Sequence, residues 1–213
     1  MSTTRPRSSS GSGGAGAGQA AGSDRRVQLL TIAAGLFATK GYAQTTVRDI
    51  ADEAGILSGS LYHHFSSKEA MIDEILREFL DRLLAECTKI EKEGDSPQDV
   101  LDGLVSVTFS TIHATPHAVA LYQNESTTLG RQPGFEYVEA IGRKIEKIWL
   151  RVLTSGQESG AFRSDIDINL TYRFIRDTVW VAVRWYRPGG KHRPEVVAGQ
   201  YLNVLHGGLL TRS

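Results

Sequence analysis

From Asp24 almost to its last residue, the chain repeats apolar side chains at steps of three and four, the period of a helix with one buried face. Leu29, Ile32, Ala33, Leu36 and Phe37 mark the first such face, and Gly41 is placed to close that helix as its C′ residue. Val47, Ile50, Ala51 and Ala54 repeat the spacing over a shorter span that stops at Gly55. A helix of little more than two turns follows from Ser58, with Leu61 and Phe65 as its inward pair. Ser66 and Glu69 then match a capping box for a long helix from about Lys68 to Lys92. Pro97 opens the next helix, Pro116 ends or kinks it, and a further segment runs from His117 to Leu129. Long helices are expected from Phe135 to Ser159 and from about Asn169 to Trp185, and a last one from about Pro194 to Gly207. No convincing strand pair exists, because the one valine-rich run, VWVAV, sits inside a helical period. The chain is predicted to be all-α, with about nine helices.

The first 22 residues break this pattern. MSTTRPRSSSGSGGAGAGQAAG is mostly Ser, Gly and Ala, with Arg5 and Arg7, a low-complexity composition that buries too little surface to offset ordering entropy, so residues 1–22 are expected to be a disordered tail. The formal net charge is zero, so any nucleic-acid site must rest on local basic residues. The single cysteine, Cys87, excludes a disulfide framework within the chain and makes a reducing, cytoplasmic setting the default expectation. No apolar run approaches the roughly 20 residues of a membrane span, and no apolar segment follows the N-terminal arginines as in a secretory signal.

The segment GILSGSLYHHFSSKE, residues 55–69, crowds Tyr62, His63, His64 and Phe65 together just after a glycine turn. Two short helices joined by such a turn form a helix-turn-helix unit, whose second helix lies in the major groove of DNA. Leu61 and Phe65 share the inward face, which leaves Ser58, Ser60, Tyr62, His63 and His64 to be spread over the others. Gly59, without a side chain, lets the backbone come close to a duplex. Thr45 or Thr46 at one helix N-terminus and Lys68 at another are candidate phosphate holders. Arg25, Arg26 and Arg48 are candidate backbone contacts, which set register and affinity without reading sequence. The same pattern also occurs in helical proteins that never meet DNA. A metal pair at His63–His64 is disfavoured, since adjacent helical residues diverge by about 100°. His113 and His117 have a chelating spacing but Pro116 lies between them, so no metal site is expected.

The stretch TTVRDIADEAGILSGSLYHHFSSKEAMIDEIL, residues 45–76, resembles the DNA-binding region of TetR-type transcriptional repressors, and the resemblance runs from about residue 27 to 80. It implies a helix-turn-helix DNA-binding domain over residues 23–68 and a larger ligand-binding and dimerisation domain over residues 69–213. It also implies a homodimer formed through the last two helices, a palindromic double-stranded operator, and release of that operator by a small molecule.

A second segment, TYRFIRDTVWVAVRWYRPGG, residues 171–190, places Tyr172, Ile175, Val179, Val183 and Tyr186 on one helical stripe, with Arg176 and Trp180 beside it. An arginine at the margin of an apolar face needs an anionic partner or a way out to water. It is either one half of a salt bridge, with Trp180 as plain core, or a ligand contact with Trp180 as an apolar wall. Tyr122, Trp149 and Trp185 are further pocket candidates, each also readable as a core aromatic. With GILSGSLYHHF, this segment resembles the branch of the same family that regulates late steroid-ring degradation in actinobacteria. That resemblance implies an acyl-CoA effector, a CoA thioester of a ring-degradation intermediate with an apolar fused-ring part and a polyanionic tail. No catalytic set is present: no Ser/His/Asp or Cys/His grouping has a supported location, there is no Gly-rich phosphate loop, and Cys87 has no base beside it. An enzyme is therefore not expected, nor a bound cofactor. The competing reading is a DNA-binding architectural protein that answers to no effector.

Overall fold

The computed structural model describes residues 15–210. Helix α1 spans Ala15–Lys40, α2 Val47–Glu53, α3 Ser58–Leu61, α4 Lys68–Glu93 and α5 Pro97–Ala114. They are followed by α6 (Pro116–Leu129), α7 (Glu136–Glu158), α8 (Ile168–Trp180), a 3₁₀ turn at Val181–Arg184, and α9 (Pro194–Leu209). Among the described residues the only β pairing is an isolated antiparallel bridge between Phe162 and Leu210. The all-α expectation and its nine helices hold.

Helix α1 begins inside the segment expected to be disordered. Residues 15–22 continue it toward the N-terminus, because Ala15, Ala17, Ala20 and Ala21 carry the best helix propensity and offset the intervening glycines. Residues 1–14 lie outside the described residues.

The boundaries follow local chemistry. Gly41 (φ +92°) and Gly160 (φ +76°) take the left-handed conformation that ends α1 and α7, which a side chain would strain. Ser96 caps α5 by accepting from the Asp99 amide (3.1 Å), and Pro97 takes the first helical position. Pro116 likewise opens α6, rather than kinking α5. The cap of α4 is Ser67, one residue later than expected: its hydroxyl accepts from Ala70 N at 3.1 Å. Helix α8 was expected to run on to Trp185 but tightens into the 3₁₀ turn after Trp180. The β-branched Val181 and Val183 and the approach to Pro188 disfavour a further α turn.

Helices α1–α3 form a small head, whose core of Leu29, Ala33, Phe37, Ile50, Leu61 and Phe65 is buried. Its apolar cluster is continuous with that of the body through α4. Helix α4 leaves the head and packs on α5 and α7 in the body, α5 packs on α9, and α6 reaches back against α1. In α7, a Cβ on Gly156 would lie 2.0 Å from the Phe162 ring, so only glycine permits that packing. No helix of the described residues is long and apolar enough to cross a membrane.

Candidate nucleic-acid interface and ligand cavity

The head presents one face from α2, α3 and the turn after α3. Thr46 caps α2 in a full capping box: Asp49 N donates to the threonine hydroxyl (3.1 Å), and Thr46 N donates to the Asp49 carboxylate (2.7 Å). Lys40 pairs with the same carboxylate at 2.7 Å, tying the end of α1 to α2. Hydrogen bonds from Lys40 and then Thr46 hold the Asp49 carboxyl well below its usual range. Arg48 is almost free, with only a long 3.7 Å pairing to Asp52. Gly55 (φ +66°) makes the tight turn into α3.

On and just after α3, Gly59 and His63 are exposed and Tyr62 is 57% exposed, while Ser58, Ser60 and His64 are half-buried. A Cβ on Gly59 would meet nothing within 4 Å, so the fold itself does not require glycine there. A glycine that packing does not demand, in a helix it weakens by about 1 kcal/mol, suits a surface another backbone must approach. The sequence reading missed Leu57, 80% exposed immediately before α3. Its signal was a large apolar residue in a turn with nothing nearby to bury it, and an apolar side chain there can meet a thymine methyl.

Four expected contacts are also engaged in ties within the protein. Thr45 is 1% exposed, and its hydroxyl donates to the Gly41 carbonyl (2.8 Å), so it cannot reach a phosphate. Arg25 donates to the carbonyl of Ala54 (3.0 Å) and to Gln28, bracing the turn between α2 and α3. Arg26 grips Glu74 of α4 with two donors, donates to the His64 carbonyl, and lies 4.1 Å over the Phe65 ring. Lys68 donates to the carbonyls of Tyr42 (2.9 Å) and Thr45 (3.0 Å) and sits 4.3 Å over the Tyr42 ring. Tyr42 in turn links the head to the body: its amide donates to Glu125 of α6 (3.3 Å) and its hydroxyl to Glu69 (3.1 Å). Replacing Lys68 by Met should therefore lower unfolding stability by about 1–3 kcal/mol in a urea titration. The salt dependence of DNA binding should stay unchanged, whereas a lost phosphate contact would reduce its slope by about one.

In the body, Tyr122, Trp149, Arg176 and Trp180 converge on one cavity of about 70 Å³. Trp185 does not join them, because the 3₁₀ turn swings it outward, 57% exposed. Arg176 donates to the adjacent Asp177 (2.8 Å) and also lines the cavity. Burial raises the Tyr122 hydroxyl above its ordinary range despite the nearby Arg176 charge, and raises Tyr172 to about 12, so both remain protonated donors at neutral pH. The Tyr122 hydroxyl and the indole N–H groups of Trp149 and Trp180 make no hydrogen bond among the described residues, and none of the three is sealed from solvent. The cavity is thus apolar, with several free donors and one guanidinium, a lining that favours a ligand rich in acceptors or negative charge.

Gly142 of α7, overlooked in the sequence, gives Tyr122 its room: a Cβ there would lie 3.1 Å from the tyrosine oxygen. A glycine in the middle of a helix costs about 1 kcal/mol, and that cost was the available signal of a close approach. Burial pushes the Cys87 thiol up to about 12, so it is an inert core group. His113 bonds the Tyr186 hydroxyl (2.8 Å), and no metal-binding group of three exists among the described residues.

Comparison with known proteins fits this division. A family model for bacterial regulatory proteins of the tetR family matches residues 29–75, and one for a tetracyclin repressor-like C-terminal domain matches residues 94–209. The HTH-type transcriptional repressor KstR2 of Rhodococcus jostii is 51% identical over 88% of this chain and 92% of its own length. The solved structure of the ketosteroid transcriptional regulator KstR2 of Mycobacterium tuberculosis superposes with a TM-score of 0.86. It is 50% identical and covers 88% of this chain and 96% of that one. PfmR of Thermus thermophilus, a TetR-family transcriptional regulator, is 30% identical with a TM-score of 0.74 over 88% of this chain and 98% of its own.

Proposed function

The chain belongs to the TetR family of bacterial regulatory proteins and is a transcriptional repressor, and on that premise we propose that it controls steroid-ring degradation genes in answer to a CoA thioester of a ring-degradation intermediate. The relatives are regulators, so the expectation that this is not an enzyme stands on them. The link to steroids rests on the ketosteroid regulator that shares half of its residues.

The observation that carries the effector reading is the joint placement of Arg176, Trp180, Tyr122 and Trp149 around one cavity with free donors. A fused-ring acid thioester offers acceptors and negative charge to such a lining. At about 70 Å³ the cavity is well below the roughly 300 Å³ at which ligand pockets begin. The effector therefore enters by displacing wall side chains, and that displacement is the lever for release. Phe79 of α4 stands behind the wall, its ring 5.6 Å from Tyr122 and 6.4 Å from Trp180. Movement there is carried along α4 to the head, where Glu74 holds Arg26 and, through it, the turn after α3. An effector that favours one head spacing shifts the population away from DNA, and a coupling of about 1–3 kcal/mol lowers operator affinity about 5–150-fold.

Dimerisation through α8 and α9 belongs to the same proposal. Exposed apolar side chains lie on these helices, Phe174 at 67% on α8 and Val204 at 71% on α9, with Trp185 at 57% in the connection between them. Such a patch is suited to a second copy. A two-fold dimer then sets its reading heads one helical turn of DNA apart, about 34–36 Å.

The test is a gel-shift on the intergenic DNA beside the gene at fixed, moderate salt, with CoA and a panel of acyl-CoA thioesters added separately. Release by a ring-bearing thioester, and not by free CoA or short acyl-CoAs, is the expected result. Binding that no thioester relieves would discard the steroid-ring effector and favour the effector-independent DNA-binding protein.

A further inference from the structure

A second cavity, of about 480 Å³, lies where the head meets the body, walled by α1, α4, α5 and the start of α6. Its size falls within the range of small-molecule sites. Leu30 and Ala34 line it from α1, Phe79 and Leu83 from α4, Val107 from α5 and Ala118 from α6. Leu83 also lines the smaller cavity, and Phe79 is packed against that cavity's Tyr122 and Trp180, so α4 separates the two spaces.

The two spaces have opposite polarity. The smaller one presents free donors and Arg176. In the larger one, three of the four lining hydroxyls, all but that of Ser110, already spend their protons on nearby backbone carbonyls: Thr31 on Val27 O (2.9 Å), Thr111 on Val107 O (2.7 Å) and Thr115 on Thr111 O (3.1 Å). Their oxygens are left as acceptors. Glu78 and Glu86 add two carboxylates, with Arg82 midway between them on the same face of α4. None of these three has a hydrogen bond or ion pair among the described residues. Two carboxylates against one guanidinium leave one formal negative charge, beside the Ser110 hydroxyl and the His117 imidazole, around an apolar space that includes an aromatic ring. The chemical complement is a cation with N–H donors on a compact hydrocarbon body.

We propose that this interdomain cavity is a second small-molecule site, selective for hydrophobic amines in their ammonium form and separate from the cavity of Arg176. Because its occupant touches α1 as well as α4–α6, its binding is linked to the position of the head. Operator DNA and the amine then alter each other's affinity by the same factor.

Isothermal titration calorimetry of the full chain tests this with two probes of one shape and opposite charge, adamantan-1-ammonium and adamantane-1-carboxylate. The ammonium should bind and the carboxylate should bind at least about tenfold more weakly, the scale of a lost charge-assisted hydrogen bond. The double variant Glu78→Gln/Glu86→Gln, altered only at exposed positions, should reduce ammonium affinity by about tenfold or more. Ala114→Phe, which fills the cavity from an exposed wall position, should abolish binding, with thermal unfolding confirming that the variant is folded. Arg176→Met should leave ammonium affinity unchanged, which separates this site from the thioester reading. Equal binding of the two probes, no heat with the ammonium, or ammonium binding that ignores either cavity variant would overturn the proposal.

Discussion

Arg176→Met should give a repressor that occupies its operator normally and is no longer released at effector concentrations that clear the wild-type protein from DNA. The guanidinium stands at the edge of the small cavity, with Trp180 one turn further along α8, and it touches no residue of the head. If its role is the surface pairing with neighbouring Asp177, its removal changes little, because exposed pairs contribute about 0–1 kcal/mol. If it meets an anionic part of the effector, the loss is that of a charge-assisted hydrogen bond, about 1.5–3 kcal/mol, or a 10- to 150-fold weaker response. The two readings thus differ by an order of magnitude in one number, the thioester concentration that releases half the operator. Trp180→Leu is the apolar counterpart. It removes a wall that also packs edge-on against Phe79, and should raise the same midpoint about tenfold or more without weakening the effector-free complex. A normal midpoint for Arg176→Met would leave the Asp177 pairing as the whole of its role.

What could be read from the sequence and what could not divide along a physical line. Helix ends set by backbone conformation were legible, as at Gly41, Gly160 and Pro97, because glycine and proline act through their own dihedral angles. The Arg176–Trp180 pair was legible because it is local, one turn apart on one helix. Roles that depend on distant neighbours were not. Nothing around Arg26 in the sequence indicates that Glu74, 48 positions away, will take up its charge. Nor does anything near Lys68 announce the two carbonyls of the α1–α2 connection. A basic residue near a reading helix looks the same whether it faces a phosphate or the protein's own backbone. Thr45 and Thr46 differ by one position, yet one is sealed in the core and the other caps α2. The larger cavity was invisible for a related reason: it exists where small residues from separate helices, Ala34, Ala114 and Ala118 among them, leave space unfilled.

That distinction sets the sharpest expectation for the reading face. Tyr62→Ala should cut operator affinity by about 30- to 20,000-fold while leaving unfolding stability within about 0.5 kcal/mol of the parent. The side chain is 57% exposed at the C-terminal end of α3 and has no hydrogen bond, so the fold loses little with it. A base-reading contact contributes about 1–3 kcal/mol, and a two-fold dimer on a palindrome loses it at both half-sites, about 2–6 kcal/mol in all. Arg26→Met should behave in the opposite way. It strands the Glu74 carboxylate and the His64 carbonyl, so unfolding stability should fall by about 1–3 kcal/mol. The molecules that remain folded, corrected for that loss, should bind DNA far better than Tyr62→Ala does. Urea unfolding and fluorescence anisotropy on labelled operator, measured on both variants, place each residue. A Tyr62→Ala protein that held its operator within a factor of two would move the reading surface off α3, toward Leu57 and Arg48 at the α2 end of the face.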